Sequence, residues 1–65
     1  MATVQTAMND DIDIQLQDQS GMWRTHMTTI NNSQMILLRM KELKDRHPDL
    51  RVRAVTRDGK LVDML

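Results

Sequence analysis

Leu50-Arg51-Val52-Arg53-Ala54-Val55, then Thr56-Arg57-Asp58-Gly59-Lys60, then Leu61-Val62-Asp63-Met64-Leu65: this run decides the fold. Two alternating stretches flank an Asp-Gly, one of the strongest short-range hairpin signals in a sequence. Loop length then sets which side chains share a face. A two-residue loop at Asp58-Gly59 opposes Ala54 to Asp63 and mixes apolar with charged residues on both faces. A three-residue loop, Arg57-Asp58-Gly59 with Gly59 as a left-handed bulge, pairs Thr56 with Lys60. Val52 and Ala54 then share a face with Val62 and Met64, extended by Leu50, and Arg53 opposes Asp63 on the other face. This second register separates the faces and is the expected one. It leaves Val55, Leu61 and Leu65 on the face opposite the core, beside Arg51, Arg53 and Asp63.

Upstream, Asp11-Ile12-Asp13-Ile14-Gln15-Leu16-Gln17 alternates strictly and predicts a half-buried strand. Asp18-Gln19-Ser20-Gly21 predicts a turn. Met22 to Thr29 resumes alternation, with Trp23, Thr25, Met27 and Thr29 expected on one face and Met22, Arg24, His26 and Thr28 on the other. A helix follows. Asn31 is the expected N-cap, with Gln34 three residues on and Ile30 stapled onto Met35. Ile36, Met40 and Leu43, with Leu37 beside them, form the apolar stripe. Pro48 ends the helix near Arg46 or His47, because a residue before proline is driven out of the α region.

The expected architecture is α+β, in the order β-β-α-β-β. One helix packs on one face of a small antiparallel or mixed four-stranded sheet. Strands are expected near 11–17, 22–29, 50–56 and 60–64, with a helix near 32–46. The expected core is Ile14, Leu16, Ile36, Leu37, Met40, Leu43, Val52, Ala54 and Val62. Residues 1–9 show no periodicity and read as a mobile leader, with a single domain over 10–65.

At 65 residues the chain lies near the lower limit for a domain standing on one core. It has no cysteine, which excludes disulfides and thiolate metal sites. Lys plus Arg equals Asp plus Glu, nine each, so net charge selects no class of partner. The distribution is uneven. Residues 1–23 hold four Asp and no Lys or Arg, and residues 24–65 hold nine basic against five acidic. No stretch is apolar enough for a membrane span. The first residues lack the basic and apolar regions of a signal peptide, which points to a cytoplasmic protein. Trp23 is the sole aromatic residue, and seven Met fill some of the volume that Phe and Tyr occupy elsewhere.

Catalytic signals are thin, and the expectation is that the chain is not an enzyme and takes no cofactor or metal. Asp10, Asp11 and Asp13 read as a solvated strand entrance, with no calcium-loop pattern around them. His47 reads as a helix C-terminal cation complementing the dipole, and His26 as a surface strand residue. Gly21 and Gly59 are isolated turn glycines with no phosphate loop.

Two binding readings remain. In the first, Val55, Leu61 and Leu65 form an apolar strip rimmed by Arg51 and Arg53, suited to a protein partner or to self-association as a two-fold dimer. Trp23 belongs either to the core or to this interface. In the second, Arg39, Lys41, Lys44, Arg46, Arg51, Arg53, Arg57 and Lys60 line a basic surface for nucleic acid. Interleaved acids and the lack of stacking aromatics rank it lower. In size and organisation the chain resembles small accessory proteins encoded by phages, prophages and plasmids. That resemblance implies a module that binds and occludes a host protein, as an inhibitor or regulator. No functional residue follows from it.

Overall fold

The computed structural model describes residues 11–65. The expected leader at residues 1–9, and Asp10, lie outside the described residues. Five elements follow one another: β1 (Ile12–Gln17), β2 (Trp23–Thr29), helix α1 (Ser33–Arg46), β3 (Val52–Thr56) and β4 (Leu61–Met64). The strands form one antiparallel sheet in the order β2-β1-β3-β4. The two hairpins thus meet along β1 and β3, and β2 and β4 are the edges.

The strict alternation of β1 works as its pattern dictates. Ile12, Ile14 and Leu16 face the helix and are buried, as are Val52 and Ala54 beside them on β3. Ile36, Met40 and Leu43 descend from α1 onto this surface, with Met27 and Leu50 closing its margins. Each fully buried aliphatic side chain contributes roughly 1.5–3 kcal/mol relative to exposure, so this cluster carries the fold.

The helix starts one residue later than expected. Asn32, not Asn31, is the N-cap, and its side-chain oxygen accepts from the Gln34 and Met35 N–H groups. Ile30 is exposed and stands two residues before the cap, outside the position of a staple. At the other end His47 caps α1 and donates its N–H to the Leu43 carbonyl, directly before Pro48. Leu37, expected in the core, is 39% exposed. It stands about 100° around the helix from Ile36, at the edge of the buried stripe.

Both edge strands carry a bulge, and each bulge overturns an expected facing. In β2 the pairs Ile14↔Met27 and Gln15↔Thr25 leave His26 unpaired between them. One extra residue flips the alternation. Met27 and Thr29 therefore join the helix face, while Trp23 and Thr25 lie on the outer face rather than sharing one side with them. In β4 the expected turn forms. Gly59 has φ of +93°, and the Thr56 N–H donates to the Lys60 carbonyl at 2.9 Å. Beyond it, however, Leu61 pairs with Val55, Asp63 with Ala54 and Met64 with Arg53, leaving Val62 as the extra residue. Arg53 does not oppose Asp63. Val62, expected in the core, is 44% exposed.

Candidate interaction surface

The face of the sheet away from α1 presents Asp11, Asp13, Gln15 and Gln17 from β1 and the residues leading into it. It presents Arg51, Arg53, Val55 and Arg57 from β3 and its flanks, by alternation from the buried positions. Two polar clusters organise it. In one, the Arg53 Nε donates to Gln15 Oε1 at 2.8 Å, and Gln15 Nε2 donates to Thr25 Oγ1 at 3.1 Å. The Arg53 guanidinium also lies 4.2 Å from the centre of the Trp23 ring. Trp23 therefore belongs to the outer face, half-buried, and takes no part in the core. Such a cation–π contact contributes about 0.5–1 kcal/mol at an exposed site.

In the other cluster, Arg57 reaches Asp11 at 3.6 Å and Asp13 at 3.5 Å, and the Thr28 hydroxyl donates to Asp13 at 3.0 Å. The acidic entrance of β1 is thus balanced by a residue of the β3–β4 turn. Among the described residues, no group of three or more His, Asp or Glu side chains is arranged to hold a metal ion.

The apolar part of this face lies at β4. α1 packs on β1, β2 and β3 and makes no contact with β4. Each β4 residue is exposed, with Leu61 at 58%. The register sets Leu61 opposite Val55 and Met64 opposite Arg53, both on the outer face, with Val62 as the extra residue between them. Val55, expected as part of the exposed strip, is only 2% exposed. It stands between Asp13 and Leu61 on the face where Leu61 and Met64 are exposed. Leu65, also expected in the strip, is exposed, but its N–H donates to the Val52 carbonyl. Alternation from Met64 puts its side chain on the helix side. Arg51 stands exposed at the opposite end of the face.

Sequence reasoning missed Met64 as a member of the outer face. A signal for the irregularity existed. Leu61-Val62-Asp63-Met64-Leu65 places apolar residues side by side twice, which a regular strand of period two cannot sort onto one face.

The basic residues do not form a continuous surface. Arg24 pairs with Asp18, Arg39 with Glu42, and Arg57 with Asp11 and Asp13. Lys44 donates to the Leu50 carbonyl at 2.7 Å, and Arg53 is held by Gln15. Lys41, Arg46, Arg51 and Lys60 make no ion pair among the described residues.

A depression of about 230 Å³ lies at the helix C-terminus, lined by Gln19, Arg46, His47, Pro48, Asp49 and Leu50. It falls below the roughly 300–1,000 Å³ of small-molecule sites. The His26 and His47 rings meet nearby, with centroids 6.0 Å apart, although 20 residues intervene in the chain. Elsewhere, carboxylates brace both turns. Asp18 accepts from the Ser20 hydroxyl, the Arg24 guanidinium and the Met22 and Ser20 N–H groups. The Ser20 hydroxyl, followed by Arg24 and Met22, holds the Asp18 carboxyl far below the usual carboxylate range. Asp58 is lowered chiefly by the Thr56 hydroxyl.

Comparison with protein-family models, with curated proteins and with solved structures returns no match. No helix among the described residues is long and apolar enough to cross a membrane.

Proposed function

We propose that this chain is a non-catalytic protein-binding module that acts by occluding the surface it binds. One observation carries the reading: the exposed apolar residues Leu61, Val62 and Met64 on a strand that the helix does not reach. Apolar groups gathered on one uncovered face and rimmed by charge suit a protein partner. Here Arg53, Arg57 and Asp13 supply the rim. An accessory protein that inhibits or regulates a host protein in the cytoplasm fits this scale of surface.

Nucleic-acid binding through the basic C-terminal half is the alternative. It would draw on Lys41, Arg46, Arg51 and Lys60. These four sit on α1, in the loop before β3 and in the last turn, interleaved with Glu42, Asp45, Asp49 and Asp58.

Affinity capture from the source cell separates the two, run at low and high salt with and without nuclease. Phosphate-driven binding falls steeply with salt, whereas an apolar interface is far less sensitive. The binder reading expects one protein partner that survives both treatments and is lost with Leu61→Asp. Recovery of nucleic acid alone, abolished by Arg51→Ala with Arg53→Ala, would replace it with the alternative.

A further inference from the structure

We infer that His26 and His47 together bind a late first-row transition-metal dication, which clamps the end of α1 to the edge strand β2. The site stands at the C-terminal end of the helix, apart from β4. It does not depend on reading the outer face as a protein-binding surface.

The fold brings the chain's only two histidines together. Their ring centroids lie 6.0 Å apart, with the ring planes tilted by 59°. A metal held by one nitrogen of each ring at about 2.1 Å lies about 3.2 Å from each centroid. Two ligating rings then have centroids about 4.6 Å apart for a right angle at the metal, about 5.3 Å for a tetrahedral angle and about 6.5 Å for a linear arrangement. The observed separation falls inside that range. His26 is exposed, so a small turn of its side chain reaches the tetrahedral spacing without moving the backbone.

Irregular backbone delivers both side chains. His26 is the extra residue of the β2 bulge, and a bulge re-aims the side chain that it carries. His47 is the C-cap of α1, with φ −134° and ψ 66°. Its N–H donates to the Leu43 carbonyl and its carbonyl accepts from the Leu50 N–H, each at 3.1 Å. Pro48 follows directly. One ligand is therefore held by a pinned stretch of chain, and the other is free to adjust to it.

The surroundings favour a cation. The last carbonyls of a helix carry partial negative charge, which attracts positive charge to its C-terminus. Arg46 and Asp49 both line the depression beside His47, so their charges offset each other there. Among the described residues no third His, Asp or Glu completes the set. Water from the open depression fills the remaining positions. Two imidazoles select the class of metal: they suit zinc and nickel, whereas magnesium and calcium require oxygen ligands. Because the histidines sit on different elements, the ion binds the folded chain in preference to the unfolded one and stabilises it.

Isothermal titration calorimetry of the full chain with Zn2+ and with Ni2+, using Mg2+ as the control, tests this. Zn2+ and Ni2+ should each bind at one ion per chain, and Mg2+ should give only heat of dilution. His26→Ala and His47→Ala should each weaken binding on the order of tenfold or more, at least the loss that removing an outer-shell partner causes. Either ion should raise the melting temperature of the wild type and leave that of both variants unchanged. Circular dichroism checks that each variant is folded. If His47→Ala, at the helix cap, does not fold, His26→Ala alone decides. Binding that survives His26→Ala unchanged overturns the inference, as does a wild type that takes up neither ion. One ion for every two chains would place the imidazoles on different molecules and equally overturns the clamp.

Discussion

The β1–β2 and β3–β4 hairpins share a plan: a glycine at positive φ in the turn, an aspartate carboxylate bracing it, and a bulge in the outer strand. Their outer strands nevertheless meet different fates. β2 lies partly under α1, and its bulge turns Met27 and Thr29 inward to join the buried side. β4 has no helix over it, and all its residues, Leu61 and Val62 among them, are exposed. The polar strand is thus the covered one, and the apolar strand is the bare one. Apolarity in a small sheet reports burial only where a second layer exists to cover it. On β4 it marks the surface proposed to meet another molecule.

The largest test of this contrast compares an inner strand with an outer one. Ile14→Ala removes a fully buried side chain and should cost about 2–5 kcal/mol, enough to unfold much of so small a domain at room temperature. Val62→Ala should stay within about 0.5 kcal/mol, measured by urea denaturation at concentrations where the chain is monomeric. A Val62→Ala cost near that of Ile14→Ala would mean that β4 is covered within the monomer.

The next test concerns the turns. At Gly59 an added Cβ meets nothing within 4 Å, so Gly59→Ala acts through its φ of +93° alone. Left-handed backbone costs an L-residue about 1–2 kcal/mol. The same loss is expected for Gly21→Ala, at φ +90° and equally open. Thermal melts of the two variants should therefore match. A much larger effect at Gly21 would show that the first hairpin depends on its turn more than the second does.

A smaller effect is expected from acid. The folded-state carboxyl of Asp18 is depressed, so its contribution is full above the ordinary aspartate range, near pH 4. It is lost progressively as pH falls below that range. Asp18→Asn should weaken the chain at neutral pH and flatten the fall in melting temperature between about pH 4 and pH 2. A variant with the wild-type slope would remove Asp18 from the account of the first turn.

Much of this fold was legible in the residues. The strict alternation of Asp11 to Gln17, the Ile36-Met40-Leu43 stripe, Pro48 and the Asp58-Gly59 turn each carry a local physical rule, and each led to the observed element. The facing of Trp23 and of Val62 was not legible in the same way. Both depend on where one residue is left out of a strand ladder, which is a choice made between strands and not within one. Leu37 failed for a related reason: whether the flank of a helix is buried depends on how many strands lie beneath it. The outer-face residues Arg51 and Arg53 were found because they alternate with buried neighbours, and Leu61 because it opposes Val55 across the hairpin. Val55 lies on the same face yet is buried, and Leu65 turns to the other side.

The stacking of Arg53 on Trp23 governs how this protein can be watched. Trp23 is the lone aromatic residue, hence the chain's one useful ultraviolet fluorophore, and it sits away from the hydrophobic cluster that melts on unfolding. Its emission will follow the wetness of the outer face and whatever lies against it. A fluorescence titration is therefore a direct record of occupancy, while a fluorescence melt will understate the loss of the core that circular dichroism sees.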